Sequence, residues 1–316
     1  MCGIFGWSYP KNSNISRAQR SIIAAVLANG NDTRGGDSWG VCVINKDKTT
    51  EIKKGLGDII EFPGYKIGEN DLVLCHTRKA TKGSICVKNA HPFEVGDIVG
   101  AHNGVIYNDD DLQKKYKREF EVDSTHIFGH IAEGLDFSEI KGYGAIEFIR
   151  KSDPSKVYLA DINRGDLSVY AIKKEENKDD KKEAKSHGCI WSSNGRHIDE
   201  ALKLAGIEDH TVYKIEEGTV YYVTEGNLYV TEEKLKIESG FTSSGRHFFG
   251  NGAHHNSYGP YASEYTQETT VSKISSKDDE NLNKIWAEYL ESKEDEEELE
   301  KNEALLAQYM DIGGGG

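Results

Sequence analysis

Short apolar runs separated by Gly, Asn and Asp fill most of residues 2–231, a pattern typical of β-strands joined by turns. The clearest strand candidates are 40–45, 71–75, 97–102, 157–160, 168–172 and 219–224. Apolar residues at helical spacing instead predict helices over residues 16–28, 124–133 and 198–205. Many strands with a few intervening helices predict an α+β fold built as a layered sandwich.

The composition changes after about residue 232. Residues 233–276 are rich in Gly, Ser, His, Asn, Tyr and Thr without a period, so they cannot bury enough apolar surface to offset the entropy of ordering. Residues 277–316 regain a helical stripe in an acidic sequence, formed by Leu282, Ile285, Trp286, Tyr289 and Leu290. We therefore predict a folded domain over 2–232, a flexible linker over 233–276 and an acidic amphipathic helical tail over 277–316. The almost entirely charged segment 173–187 is predicted to be a solvated loop.

The charge of the chain argues against nucleic acid as a partner. The formal net charge is −14, and no compensating cluster of Lys and Arg occurs. Most of the excess lies near the end of the chain, where residues 277–311 contain 13 acidic and 4 basic residues. No apolar run is long enough to span a membrane, and the N-terminus lacks the plan of a signal peptide, so a cytoplasmic protein is expected.

Neither a metal nor a cofactor is expected. The five cysteines are an odd number without a CxxC pair, which argues against a disulfide framework and a zinc ribbon. The adjacent His254 and His255 lie in a Gly-rich and Ser-rich segment without metal-ligand spacing. No phosphate-binding Gly-rich loop of the Walker type occurs, so nothing indicates ATP-dependent activation of an acceptor.

The N-terminus offers a catalytic group. Cys2 follows the initiator Met1 and precedes Gly3, and removal of Met1 would leave a free α-amine on a cysteine. Because the thiol and the α-amine have pKa values of about 8.5 and about 8, the neutral amine could accept the thiol proton through water. A cysteine at position 2 is equally compatible with an incidental residue, so this feature needs support from elsewhere in the chain.

That support comes from six blocks that follow one another in order. They are Met1-Cys-Gly-Ile-Phe-Gly6, Arg34-Gly-Gly-Asp-Ser-Trp-Gly40, His76-Thr-Arg-Lys-Ala-Thr-Lys-Gly83, Asn89-Ala-His-Pro-Phe93, Ala101-His-Asn-Gly-Val-Ile-Tyr-Asn108 and Val122-Asp-Ser-Thr125. Together they resemble the class II glutamine amidotransferases, most closely the glutaminase domain of glucosamine-6-phosphate synthase. Weaker likeness continues to about residue 230. The resemblance implies the four-layer α/β/β/α sandwich of the N-terminal-nucleophile hydrolases.

The resemblance also implies roles for individual residues. Cys2 matches the nucleophile, Arg78 the arginine that binds the α-carboxylate of glutamine, and Asp123 the acid that binds its α-ammonium. Asn103 and the backbone N–H of Gly104 match the oxyanion hole. Taken singly, each has an alternative interpretation, because a surface ion pair or a hairpin turn would use the same residue types.

Further matches are assigned less specific roles: Thr81 and His91 match residues that line the glutamine pocket, and Arg34 matches an arginine near the nucleophile. Lys79 departs from the pattern, because the synthase has an aromatic residue there. The matched residues still predict glutamine binding. Because Lys79 replaces the aromatic residue, the aromatic gate of the synthase is not expected.

The predicted reaction is hydrolysis of L-glutamine to glutamate and ammonia through a Cys2 thioester. Too few residues follow the glutaminase region to form a synthase domain, so either the acceptor of ammonia lies on another chain or the enzyme simply releases ammonia. The tail is either a solvated helix or a surface for a synthase partner or a second copy. Two alternatives remain open, an amidohydrolase of another γ-glutamyl or amide substrate, and a catalytically idle binding or structural module.

Overall fold

A computed structural model describes residues 2–59, 71–173 and 186–237 of the chain. Most of the predicted charged loop therefore lies outside the described residues, as do the predicted linker from residue 238 onward and the whole predicted acidic tail. Residues 233–237, which the sequence places in the linker, are described. They complete the last strand and bring Leu235 and Ile237 into the core, so the folded part reaches at least Ile237.

The described residues form four α-helices: α1 (Arg17–Asp32), α2 (Asp109–Tyr116), α3 (Thr125–Glu133) and α4 (Gly195–Leu204). The three predicted helices are confirmed as α1, α3 and α4. Helix α1 begins after Ser16, whose hydroxyl accepts from Gln19 N while the Gln19 side chain accepts from Ser16 N. This reciprocal pair satisfies two N–H groups that have no partner within the helix. Sequence periodicity did not predict α2, because this helix is only eight residues long and buries a single apolar side chain, Leu112.

Thirteen strands form two sheets in the part of the chain that is described. They are β1 (Gly3–Ser8), β2 (Ser38–Ile44), β3 (Thr50–Leu56), β4 (Leu72–Arg78), β5 (Phe93–Val95), β6 (Ile98–Ile106), β7 (Gly142–Arg150), β8 (Asp153–Asn163), β9 (Ser168–Ile172), β10 (Gly188–Ser192), β11 (His210–Tyr213), β12 (Thr219–Thr224) and β13 (Asn227–Lys234). One sheet has the order β11-β9-β10-β1-β4-β2-β3 and the other β13-β12-β8-β7-β6-β5. All six predicted strands are present.

The two sheets pack face to face, with a pair of helices on each outer side. Between the sheets, apolar side chains from both interlock, including Leu74, Cys189, Trp191, Val99, Leu159 and Val223. Helices α2 and α3 cover the six-stranded sheet through a second apolar cluster that includes Leu112, Ile127, Phe128 and Phe148. Helices α1 and α4 lie against each other and against the seven-stranded sheet. The predicted four-layer α/β/β/α sandwich is confirmed.

Strand pairing fixes where the N-terminus lies. Strand β1 is central in its sheet, between β10 and β4, and Gly3 is paired with Thr77. Cys2 therefore stands beside the end of β4, next to Arg78. Strand β1 also touches β6 of the facing sheet, where Ile4 packs on Ala101 and Ala145. The start of β1 and the middle of β6 thus come together between the layers. None of the helices in the described ranges is long and apolar enough to cross a membrane.

Candidate active site

The Cys2 sulfur lies against the main chain of Lys79. The Lys79 N–H donates to Sγ at 3.3 Å, and the thiol donates to the Lys79 carbonyl oxygen at 3.5 Å. The main chain of Lys79 can therefore accept a hydrogen bond from the thiol and donate one to the thiolate. Burial raises the pKa of the Cys2 thiol above its usual value, while the Lys79 N–H lowers it.

Arg34 holds the backbone of the same cysteine. Its Nε donates to the Cys2 carbonyl oxygen at 2.9 Å, and its Nη2 forms an ion pair with Asp166 at 2.8 Å. The loop that carries Arg34 needs glycine, because a Cβ on Gly35 would lie 2.5 Å from the Cβ of Thr77, and Gly36 has a φ of 87°. The structure thus brings Arg34 to the predicted nucleophile, where it positions the main chain.

Arg78 is buried and carries a charge that its own partners do not neutralise. Nη1 donates to the Ser84 carbonyl at 3.2 Å and Nη2 to the Lys82 carbonyl at 2.6 Å. Both acceptors are neutral, and the guanidinium keeps further N–H groups. The side chain of Lys82 forms an ion pair with Asp109 at the start of α2, which ties down the loop after β4. A buried, positioned guanidinium of this kind suits a carboxylate ligand.

Asp123 supplies the opposite charge. The residue is 3% exposed, and its Oδ2 accepts from the Ile106 N–H at 2.7 Å, at the end of β6. The positive charge of Arg78 lowers the pKa of the Cys2 thiol, and the negative charge of Asp123 raises it. Both charges therefore act on the thiol from nearby. The arrangement provides one cationic and one anionic group that both act on the Cys2 thiol, the pair of charges that an α-amino acid would need.

Asn103 and Gly104 lie in β6, opposite Ala145 and Gly144 of β7. Asn103 Nδ2 donates to the Ser193 hydroxyl at 2.9 Å. A side-chain amide nitrogen has two N–H groups, so one remains for an oxyanion. A Cβ on Gly104 would lie 2.0 Å from the Tyr143 carbonyl oxygen, and the residue must therefore be glycine where the two strands approach.

Thr81 and His91 are placed differently from the residues above. Thr81 is exposed in the loop after β4. His91 is buried in the interior, where its ring lies 4.0 Å from that of His76 and 4.5 Å from that of Phe93, centroid to centroid. Burial lowers the pKa of His91 well below its usual value, so the ring is neutral. Its role as a pocket residue stays a prediction.

Three acidic or hydroxyl residues at this site were not assigned a role from sequence. Ser193 contacts Asn103, Asp166 pairs with Arg34, and Asp37 pairs with Lys79. Asp37 falls in one of the six blocks that carry the resemblance, so its position in a motif was a usable signal, whereas Ser193 follows the last block. Asp166 falls in none, and only the fold places it beside Arg34.

The described part of the chain offers no set of side chains suited to bind a metal ion. Across the described residues, no group of three or more His, Cys, Asp and Glu side chains could hold a metal ion. All five cysteines are free thiols; Cys42, Cys75 and Cys189 are buried, while Cys2 and Cys86 are partly exposed. Cys2 and Cys86 are thus the two thiols open to a reagent.

Comparison with known proteins identifies the site's family. The family model described as class-II glutamine amidotransferases matches residues 18–149. This part of the chain is therefore similar to the class-II glutamine amidotransferases. That match covers Arg34, Arg78, Asn103, Gly104 and Asp123, and it begins after Cys2. The predicted family is confirmed.

Curated relatives of the amidotransferase domain are longer proteins with different names. The glutamine–fructose-6-phosphate aminotransferase of Haemophilus influenzae is 33% identical over 144 residues, which is 42% of this chain and 22% of that protein. The 7-cyano-7-deazaguanine synthase of Saccharolobus solfataricus is 27% identical over 179 residues, 51% of this chain and 38% of that protein. The chain therefore spans well under half the length of these relatives.

A solved structure shares the fold of the amidotransferase domain. The glutamine phosphoribosylpyrophosphate amidotransferase from B. subtilis matches with a TM-score of 0.52 and 17% identity, over 74% of this chain and 49% of that one. At this identity the likeness concerns the fold alone. It agrees with the two sheets and two helix layers described above.

Proposed function

We propose that this chain hydrolyses the side-chain amide of glutamine, with Cys2 as the nucleophile after removal of Met1. The observation that carries the proposal is that the opposite charges of Arg78 and Asp123 both act on the Cys2 thiol, while Ser193 bonds both the Asn103 amide and the Ile4 N–H, two residues after Cys2. The α-carboxylate of glutamine would bind Arg78, and its α-ammonium would bind Asp123. A substrate without both free α groups would leave one buried charge unpaired, which is costly.

The reaction follows from these positions. The α-amine of Cys2 takes the proton of its own thiol, and the sulfur attacks the side-chain amide carbon of glutamine, so that a C–S bond forms. The resulting oxyanion would accept from Asn103 Nδ2 and the Gly104 N–H. Collapse breaks the C–N bond, and the proton held by the amine leaves with the nitrogen as ammonia. Water then attacks the γ-glutamyl thioester, which gives glutamate and restores the thiol.

The names of the relatives support the glutamine step more than any particular acceptor. About half of this chain or less matches each of two relatives, an aminotransferase named for glutamine and fructose 6-phosphate and a synthase of a cyano-deazaguanine. Because the named products differ, a shared glutamine step that precedes them fits both likenesses. We therefore propose that ammonia passes to an acceptor site on another chain. Contact with a partner through the tail remains part of this proposal.

A test combines intact mass, labelling and activity on the purified chain. Loss of Met1, ammonia release from glutamine and single labelling at Cys2 by a glutamine-like electrophile support the proposal. Cys2→Ala should abolish activity and labelling, whereas Cys86→Ala, which removes the other partly exposed thiol, should change neither. A folded chain without Met1 that neither releases ammonia nor is labelled would rule out the enzyme and favour a binding module.

A further inference from the structure

Lys79 occupies an unusual position, because its main chain and its side chain serve different partners. Its N–H and carbonyl oxygen flank the Cys2 sulfur, as described above. Its Nζ instead reaches Asp37 Oδ1 at 2.8 Å. The lysine side chain is 55% exposed, while Asp37 is only 14% exposed. One half of the ion pair is therefore fixed inside the protein, and the other reaches to it from the surface.

Asp37 binds three consecutive residues at the end of β4. Its N–H donates to the Arg78 carbonyl at 3.1 Å, and Oδ1 accepts from Lys79 Nζ. Oδ2 accepts from the Ala80 N–H at 2.8 Å. Asp37 is thus hydrogen-bonded to the main chain on both sides of Lys79, at Arg78 through its N–H and at Ala80 through its carboxylate. An isolated surface ion pair contributes little, but this one is a link in a set of hydrogen bonds to the main chain beside the nucleophile.

The geometry points to Lys79 as a positioning residue, whose ion pair with Asp37 fixes the N–H that donates to the Cys2 sulfur. The inference rests on the role proposed for Cys2 and extends it to a side chain that does not touch substrate. A hydrogen bond to sulfur depends on the direction of the N–H, so a small rotation of the Lys79 peptide would weaken it. Weakening it would favour the thiol over the thiolate.

Charge alone would give a different result, and this makes the inference testable. Lys79→Met removes a positive charge near Cys2, and Asp37→Asn removes a negative one. If only charge matters, the pKa of Cys2 rises in the first variant and falls in the second. If positioning matters, it rises in both, because each substitution breaks the same ion pair. The two substitutions therefore separate the explanations by sign.

The measurement is the rate of Cys2 alkylation by iodoacetamide as a function of pH, read by mass from the N-terminal peptide to exclude Cys86. Lys79→Met and Asp37→Asn should each slow alkylation at pH 7 by about threefold to tenfold, since one pKa unit corresponds to a tenfold change in thiolate. Lys79→Arg should restore the wild-type profile. Shifts of opposite sign, or no shift in either variant, would overturn the inference.

Two controls complete the design. Asp153 and Lys156 form another Asp–Lys pair of 2.8 Å, so Asp153→Asn and Lys156→Met should leave the alkylation profile unchanged. If Asp37→Asn does not fold, Asp37→Glu keeps the charge but moves the carboxylate, and positioning still predicts slower alkylation, whereas charge predicts no change. Alkylation needs no glutamine turnover. A chain without glutaminase activity but with both shifts would therefore reject the proposed function and retain the positioning role.

Discussion

Ser193 Oγ accepts a hydrogen bond from Asn103 Nδ2 at 2.9 Å and a second from the Ile4 N–H at 2.9 Å. The Ser193 N–H in turn donates to the Ile4 carbonyl at 2.8 Å. One serine therefore links the strand that carries Cys2 to the amide proposed for the oxyanion hole. Because β1 and β6 belong to different sheets, this link ties the Asn103 amide to the strand that follows Cys2.

Ser193→Ala should lower kcat with little change in KM. The substitution leaves Asn103 Nδ2 without its acceptor, so the amide can turn away from the oxyanion. A misplaced catalytic group costs on the order of tenfold to a hundredfold. Steady-state kinetics with glutamine measure the effect, with Ser152→Ala, a surface hydroxyl bonded to Asp97, as control. An unchanged kcat would show that Asn103 does not depend on this hydroxyl.

Asp123→Asn should weaken recognition of the substrate α-ammonium. The amide oxygen of asparagine can still accept from Ile106 N, so the local fold is kept while the charge is lost. We expect kcat/KM for glutamine to fall about tenfold to a hundredfold. The wild type should prefer glutamine over glutaramate, which lacks the α-amine, and the variant should show a much smaller preference. Equal discrimination by both proteins would contradict the assignment of Asp123.

Gly104→Ala should destabilise the domain and abolish turnover. The added Cβ would lie 2.0 Å from the Tyr143 carbonyl oxygen and 2.5 Å from His102 Nε2. Such overpacking costs about 1–3 kcal/mol of unfolding free energy, measurable by urea denaturation. Gly134→Ala is a matched control, since its φ is 64° but no atom lies within 4 Å of the added Cβ. It should cost about 1 kcal/mol from backbone strain alone and keep full activity.

Glu147→Gln should stabilise the protein at alkaline pH. Glu147 lies fully buried between the sheets, where Trp191 Nε1 donates to its Oε2 at 2.6 Å. Burial raises the pKa of this carboxyl well above its usual value, although the Trp191 bond opposes the shift. The folded state therefore keeps a proton that the unfolded chain releases above about pH 4.3. Stability must fall as pH rises from there toward the folded pKa.

Glutamine has no proton to lose and can still accept from Trp191. Between pH 5 and pH 8, the unfolding free energy of the wild type, measured by urea denaturation, should therefore decline more steeply than that of Glu147→Gln. The difference in slope should reach up to about 1.4 kcal/mol per pH unit. Glu121→Gln is a contrasting control, because hydrogen bonds from the Ser84 hydroxyl and N–H lower the pKa of Glu121 to about 2. It should leave the alkaline slope in place. A steeper slope in Glu147→Gln would disprove the assignment.

Several elements of the fold were readable from sequence because they depend on local periodicity. Strands β9 and β12 begin and end where alternation predicts, and α3 nearly does. Helix α2 was not predicted, because one buried leucine in eight residues gives no period. The folded part also extends past the predicted boundary, since Leu235 and Ile237 belong to the apolar cluster on the helix-covered side of the six-stranded sheet.

By itself, the sequence determined the likeness to a family, the layered α+β class and the residue types that lie near Cys2, because the motifs preserve order and chemistry along the chain. Only the tertiary structure decided which groups touch. It placed Asp37 on Lys79, Asp166 on Arg34 and Ser193 on Asn103. These partners lie 42, 132 and 90 residues apart in the chain. No local pattern can encode contacts at such separation, since they arise from strand pairing and sheet packing.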